Sequence, residues 1–548
     1  MKFKVLIAIG LTLFNQLVFS EVTLIKNVKG YSINNNELVV FNSMAFEFGK
    51  VLEIGSSDKL VEKYPGAKLI DGNGLTLLPG LHDANTDITL AAKSMVQVDL
   101  RGIKTKQEAL DKIKQFIDDH PKKRWIEGFG WDHTIWKKPV YPTKHDLDSI
   151  DTDTAIWIKS KNNKIGWANS RTIHFTRAAK YKTQPKSGQI IFNKQGKHTG
   201  IYIDYALNII QPHITQITPI ESYPLLIKQM NKLASLGITS INEKGIDNKT
   251  YNALRSLANR SQLPIRINAP LTSADKAFDG MLTYGHYHRE HQFLHTHSIK
   301  YFIDGDIVTQ EALLYAPYDN DKTNTGTVIQ PLNYLSDEIE KNTQLGWQIL
   351  LQANGDKGTN DALKLLSNKN IVNSTFRNRI TGASLLTEQA LINNSIEHLF
   401  LSVNPYEAIN NLPKSKTLLG EGRSKNLHVW NSLSKTNAKM MFGSNFPIEN
   451  ANPFLGMQAA ATRKNNKTNK TYNASEKMNM TQILASYSIN QALANRQESS
   501  LGSLEAFKWA DFILVDQDIF NIDANDISKT NVIQTWVAGN KIFEKETD

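Results

Sequence analysis

The hydrophobic pattern divides the chain into three regimes. A short apolar run, Val5 to Phe19, stands behind Lys2 and Lys4. From Glu21 to Gly74 apolar and polar positions alternate, as in Val22-Thr-Leu-Ile, Leu38-Val-Val-Phe and Lys50-Val-Leu-Glu-Ile-Gly. A period of two, broken by Asn and Gly, predicts short β-strands. Ala510 to Asp516 and Ile533 to Ile542 behave alike near the other end. Between these regions, apolar strand-like runs alternate with helical patterns. The strand candidates are Thr154 to Lys159, Ile238 to Asn242, Ile265 to Pro270, Ile299 to Asp304, Trp347 to Gln352, His398 to Val403 and Lys439 to Ser444. One helix is expected over 225–236, with Pro224 as its start signal and Gly237 as its stop. This alternation predicts an α/β protein. The expected form is a (β/α)8 TIM barrel with a small β-sandwich domain formed from both chain ends.

Composition adds exclusions. The basic start, the apolar run and the compact residues at Val18-Phe19-Ser20 read as a cleavable signal peptide over residues 1–20. The protein is therefore expected in the periplasm or secreted. No later stretch is apolar enough to span a membrane. The chain has no cysteine, which excludes disulfides, thiolate nucleophiles, lipid attachment at a cysteine and thiolate metal ligands. Its net charge of +10 is diffuse. No lysine/arginine block reaches the density of a nucleic-acid patch, so the expected partner is a small molecule and not a nucleic acid. The run Arg463 to Thr471 reads as a solvated loop. Nothing in the sequence signals an oligomeric state.

The most informative stretch is Leu77-Leu-Pro-Gly-Leu-His-Asp-Ala-Asn-Thr-Asp87. It reads as a buried strand, a Pro-Gly break and polar side chains at the strand's exit. It resembles the first metal-binding signature of the amidohydrolase superfamily, Pro-Gly-aliphatic-aliphatic-Asp-Ala-His-x-His. Pro79, Gly80, Asp83 and Ala84 match; Asn85 and Asp87 stand where the histidines belong. Trp125 to Asp132, Pro142 to Asp148, Trp167-Ala-Asn-Ser170 and Lys300-Tyr-Phe-Ile-Asp-Gly305 resemble amidohydrolase family 3, the YtcJ-like and N-substituted formamide deformylase-like group. Ala316-Pro-Tyr-Asp319 fits the same group. Gly502 to Asp511 resembles its Gly-Ser-(Leu/Ile)-Glu-x-Gly-Lys-x-Ala-Asp, with Phe507 in the second glycine's place. The resemblance runs from about residue 22 to 545. It implies a β-sandwich part at 21–76, a barrel at 77–497 with a family-specific insertion around 95–190, and the rest of the sandwich at 498–548.

The family's implied chemistry is hydrolysis of non-peptide C–N bonds. A divalent metal activates water and a carboxylate takes its proton. The implied ligands are the His-x-His pair, a carboxylated lysine on strand four, two further histidines and an aspartate that also serves as base. Here Lys300 is kept. Gln352 replaces the histidine in Leu351-Gln352-Ala-Asn-Gly-Asp356. Gly382 replaces it in Arg379-Ile-Thr-Gly382-Ala383. Asn445 replaces the aspartate in Gly443-Ser-Asn445-Phe-Pro447. Neutral amides hold zinc-class ions poorly, and asparagine cannot act as a general base. No cofactor is therefore expected, although amide and carboxylate oxygens leave a hard ion such as magnesium or calcium as an alternative.

Two functional readings follow. The first is a catalytically decayed amidohydrolase that binds a small molecule with an anionic or strongly polar group. Its pocket is expected to be lined by Asn85, Asp87, Lys164, Lys300, Gln352 and Asn445. The second is an active C–N hydrolase with an oxygen-ligated or metal-free site, in which Asp87, Lys300 and Asp304 carry catalysis. In the first reading Lys300 is expected as an ammonium paired with Asp87 or Asp304. Asp304 and Asp356 serve equally well as loop anchors accepting backbone N–H bonds. His286, His288, His291, His295 and His297 crowd ahead of Lys300. They are expected at the opposite end of the barrel from its mouth, with a metal there adventitious or absent. His82 is expected as a core histidine. Ser444 and Ser170 show no histidine partner in sequence, so a serine-hydrolase triad is not expected.

Overall fold

Both chain ends enter one eight-stranded sheet. Its order runs from Asn540–Glu544 through Val532–Val537, Phe512–Val515, Thr76–Pro79, Thr23–Asn34 and Glu37–Glu47 to Lys50–Gly55, with Lys68–Asp71 beside Thr23–Asn34. The computed structural model describes residues 21–546 apart from 186, 215–217, 290, 292, 368–374 and 393–398. The signal peptide expected over 1–20 lies outside the described residues. So does the start of the run expected at His398, whose strand is described from Phe400. The pairing of the two ends is as the alternating pattern implies. Hydrogen bonding is continuous across the junction, however, because Phe512–Val515 pairs directly with Thr76–Pro79. The described residues of the two ends thus share one hydrogen-bonded sheet. Ile25, Met44, Phe512 and Trp536 pack in its core.

The central region supplies parallel strands. We number them β1 (Leu81–Thr86), β2 (Ile238–Glu243), β3 (Arg266–Asn268 and Leu271–Thr272, either side of Pro270), β4 (Leu294–Thr296 and Ser298–Phe302), β5 (Gln348–Ala353), β6 (Arg379–Gly382), β7 (Phe400–Val403) and β8 (Lys439–Phe442). β1 to β4 pair in sequence through the first segments of β3 and β4; the second segments lead on through β5 to β8. The exit of β8 meets the exit of β1. Asn445 donates its backbone N–H to Asn85 O at 3.0 Å and Asp87 donates to Phe446 O at 2.9 Å. Buried isoleucines and leucines of these strands join the helices in one large core. The fold is therefore mixed α/β, with every strand exit directed to one end.

The helix before β2 corrects the proline reading. It spans Pro219–Ala234, not 225–236, and Pro224 lies inside it. The stronger start signal is the capping box of Thr218 and Glu221, in which each side chain bonds the other's backbone N–H. The carbonyl that Pro224 leaves without a donor belongs to Ile220, an exposed residue that water can reach.

Between β1 and β2 a separate six-stranded sheet occupies Val98 to Ile203, in the order Gln189–Phe192, His198–Ile203, Ile165–Ala168, Ala155–Ser160, Trp125–Trp131, Val98–Asp99. Trp131 and Trp167 of the sequence motifs are core residues there. Trp131 and Trp167 meet at 6.0 Å, and the Trp167 indole donates to Thr143 O. Asn169 holds the backbone N–H groups of Ile156 and Thr172. These signatures therefore encode a fold element.

A buried ion pair fixes the terminal sheet to the parallel strands. Arg266 on β3 grips Asp511 with two bonds, 2.7 and 3.0 Å, and both side chains are almost fully enclosed. Asp511 also accepts the N–H of Ala538. The last residue of the Gly502–Asp511 motif is thus a domain clamp.

Candidate functional site

The strand exits open on a polar cavity of about 280 Å³. Asn85 (β1), Lys300 (β4), Gln352 (β5), Gly382 (β6) and Asn445 (beyond β8) all line it. Each of these positions is engaged with protein. Asn85 donates to Asn404 Oδ1 at 3.3 Å, and Gln352 donates to the Asp304 carbonyl at 3.4 Å. Asn445 donates to Glu407 Oε1 at 2.6 Å. Gly382 has a φ of +104°, and a Cβ added there would stand 2.2 Å from Asn354 Oδ1. The Asn354 amide, held by Gly305 O and the Ser384 hydroxyl, fills the space a side chain at 382 would need.

Two cations and two carboxylates share the cavity wall: Lys244, Lys300, Asp306 and Glu407. Burial pushes the Glu407 carboxyl up to about 7, and the nearby Asp306 charge adds to this; the amides of Asn404 and Asn445 and the Lys244 charge oppose it. Lys244 is drawn down by burial, but Asp87, Glu407, Glu243 and Asp83 hold against the loss of its proton. Lys300 is buried and brought down to about 7 by desolvation, then by the charges of Lys244 and Arg379. Its Nζ donates to Thr381 Oγ1 at 2.7 Å. His428, also on the wall, is kept neutral by burial, which brings it down to about 3.

Several expected site residues lie elsewhere. Lys164 is exposed in the turn before Ile165–Ala168, within the separate sheet, and does not line the cavity. Asp87 caps the helix Ile88–Ser94 by accepting from Leu90 N at 2.7 Å; it does not line the cavity, though its charge acts on Lys244, which does. Asp304 lies beneath the cavity and accepts the backbone N–H groups of Leu313, Asn354 and Gly355. Burial still raises it to about 7. It is the loop anchor of the two roles considered. The expected pairing of Lys300 with Asp87 or Asp304 is not found: both carboxylates are committed to backbone, and the charges that act on Lys300 are cationic. Asp356 likewise anchors a loop, accepting from Tyr315 N.

The remaining motif residues are structural. Asp83 ties β1 to the exit of β8 by accepting from Asn85 N, Ser444 N and the Ser444 hydroxyl. Ser170 donates to Asp148. Among the described residues, neither serine is hydrogen-bonded to a histidine. His82 is buried in β1 and held neutral by desolvation, at about 4. His295 and His297 stack at 4.2 Å at the start of β4, next to the first residues of β5 and β6 and away from the cavity. Among the described residues, no group of three or more His, Asp or Glu is arranged to hold a metal ion.

Parallel strands whose exits converge on a polar cavity define an α/β body with its candidate site at the strand exits. The chain belongs to the amidohydrolase family, whose model matches residues 68–543. It is 25% identical to Protein LONG AFTER FAR-RED 3 of Arabidopsis thaliana, over 93% of this chain and 90% of that protein. It is 24% identical to the YtcJ protein of Bacillus subtilis, over 91% of this chain and 95% of that one. Its structure is similar to that of an uncharacterized metal-dependent hydrolase from Pyrococcus horikoshii. The TM-score is 0.78 at 26% identity, covering 92% of this chain and 99% of that one.

The family's divalent ion does not fit the residues present here. A zinc-class ion needs imidazole, thiolate or carboxylate donors. The five positions offer two asparagines, a glutamine, a glycine and an aspartate committed to a helix cap. Sequence reading missed Lys244, Asn354, Asn404 and Glu407. One signal was available for Glu407. It follows Val403-Asn404-Pro405, a strand exit leading into a helix with proline in its first turn, and catalytic groups of barrel enzymes sit at strand exits.

Proposed function

We propose that this chain is a (β/α)8-barrel amidohydrolase relative that no longer performs metal-assisted hydrolysis. Its cavity binds a small molecule with an anionic or strongly polar group, outside the cytoplasm. One observation carries this reading: the Asn445 amide is turned onto Glu407, so the position of the family's ligand and base is spent on a neutral donor to a carboxylate. Polar groups of Asn85, Gln352, Asn354 and Thr381, with the cations Lys244 and Lys300, supply the recognition surface.

The test is metal content of purified protein, followed by a thermal-shift screen of small acids and N-acyl compounds. Less than stoichiometric zinc, iron and manganese is expected. A ligand at about 100 times its Kd adds about 2.7 kcal/mol of stability, and Lys300→Met weakens that gain for anionic ligands. Stoichiometric metal, or no stabilising compound, overturns the reading. Glu407 favours a second reading. A carboxyl that titrates near neutrality inside the cavity suits proton transfer, so a metal-free amide hydrolase is tested on the same library. Turnover lost in Glu407→Gln supports it.

A further inference from the structure

The charged groups of the cavity fall into two sets. Lys244, just past β2, is half-buried, and its neighbour Gly245 runs so close to Lys300 that an added Cβ would stand 3.4 Å from Lys300 Cβ. Glu407 is half-buried in the first turn of the helix Pro405–Ser424, and Asp306, past β4, is exposed. The sets adjoin: the charges of Asp306 and Lys244 both act on Glu407. Neither set is neutralised by the protein. Among the described residues neither lysine forms an ion pair. The carboxylates whose charges act on Lys244 are committed to other donors: Asp87 to Leu90, Glu243 to Ile88, Asp83 to Ser444, and Glu407 to the neutral amides of Asn404 and Asn445. Asp306 accepts from Val308 N. A carboxylate has about four lone-pair sites, so Glu407 and Asp306 both keep room for a further donor. A ligand that is only an anion meets repulsion from the two acids, and one that is only a cation meets repulsion from Lys244. A ligand that carries both signs is attracted at each end.

We propose that the cavity binds a free α-amino acid as its zwitterion, with the carboxylate on Lys244 and Lys300 and the ammonium between Glu407 and Asp306. Lys244 supplies the charge at the carboxylate end, and Lys300 needs only to donate a hydrogen bond there. The ammonium has three donors for two carboxylates. A cavity of about 280 Å³ lies at the small end of ligand sites, which run from about 300 to 1,000 Å³, so the ligand is a single amino acid and not a peptide. Ile307, Val308 and Ile448 line the same cavity and supply apolar surface for its side chain.

This inference rests on the reading that the cavity binds a small molecule and holds no resident metal ion, and the experiment separates the two. Full-length protein of measured metal content is titrated by calorimetry at neutral pH with alanine, valine and leucine in both enantiomers. The amino acid that binds is compared with the acid that lacks its ammonium and the amine that lacks its carboxylate; for leucine these are isocaproate and isoamylamine. Each truncated compound is expected to bind at least about tenfold more weakly, the factor carried by one lost charge-assisted hydrogen bond. This comparison uses the parent protein and does not depend on a variant that folds. Lys244→Met is expected to weaken the amino acid and the acid but not the amine, and Asp306→Asn the amino acid and the amine but not the acid. Melting curves check that both variants fold, and a general loss of structure would not produce that crossed pattern. An acid that binds as tightly as its amino acid overturns the zwitterion and leaves the anion-binding reading standing. Failure of all these amino acids to bind metal-free protein that another small acid stabilises does the same. Variants that weaken acid and amine alike overturn the assignment of the two ends. Stoichiometric metal, or no stabilising compound of any kind, overturns the underlying reading and the proposal with it.

Discussion

The side-chain amide of Asn445 lies 2.6 Å from Glu407 Oε1 and donates to it. The motif that Gly443–Pro447 resembles has an aspartate where Asn445 stands. Restoring it alone would replace a donor by a second carboxylate against a half-buried one, with Asp306 adding further negative charge. Loss of the bond and like-charge repulsion together cost about 2–4 kcal/mol. Asn445→Asp is therefore expected to lower stability by that amount at pH 8, and less at pH 5, where a proton can be shared. In the background of Glu407→Gln the penalty should largely vanish. Urea titrations of the four proteins form the cycle that checks this. Equal penalties in both backgrounds would contradict the pairing.

Gly382 leaves no room for a side chain at this position. A Cβ at this position meets Asn354 Oδ1 at 2.2 Å, and φ of +104° is a conformation L-residues avoid. Gly382→His is expected to destabilise by more than about 2 kcal/mol and to bind no additional zinc. Removing the obstructing amide with Asn354→Gly should recover part of the loss, because the steric component goes and the backbone strain stays. Full stability of Gly382→His in a melting experiment would refute the contact.

Much of this was legible in the chain. The period-two runs located the shared sheet, and the Pro79-Gly80, Lys300, Gln352, Gly382 and Asn445 motifs converge on one cavity as their order implies. What sequence hid is which way side chains turn. Asp87 and Asp304 sit in family motifs, yet the first serves a helix cap and the second three backbone amides. Local N–H donors compete for a carboxylate, and sequence does not show which donors will reach it. Glu407 escaped notice because its importance comes from Asn445, 38 residues on, and from burial by other elements. Lys164 lies close in sequence to Trp167, but the whole segment belongs to a separate sheet.

The Arg266–Asp511 pair joins β3 to the terminal sheet and is enclosed on both sides. Breaking one partner leaves an uncompensated charge, at a cost of about 3–5 kcal/mol. Asp511→Ala also removes the acceptor of Ala538 N–H. Asp511→Ala is expected to lose that much stability and to raise protease sensitivity of the 512–546 segment before the rest of the chain. Arg266→Met should lose less than Asp511→Ala, since the carboxylate keeps its backbone donor. Uniform proteolysis across the chain would argue against a clamp.

Stability should carry opposite pH signatures from Glu407 and Lys300. Glu407 has an ordinary value of 4.5 and rises to about 7 in the folded protein. Between these values the folded state holds more protons than the unfolded one, so stability falls as pH rises from about 4.5 to 7. Lys300 falls from 10.5 to about 7. Between 7 and 10.5 the unfolded state holds more protons, so this group's contribution rises with pH; its full penalty is present below 7, where the ammonium is buried without an anion. Lys300→Met is thus expected to stabilise the protein by about 1–3 kcal/mol at pH 6, with the gain disappearing toward pH 10.5. A lysine paired with Asp87 or Asp304 would show the reverse, a loss on substitution. Glu407→Gln should gain most above pH 7 and lose that advantage toward pH 4.5. The measurement is the difference in unfolding midpoint between each variant and the parent across this pH range, which removes the background titration of other groups. A Lys300→Met difference that is negative, or flat with pH, would show that the amine is compensated in the folded state.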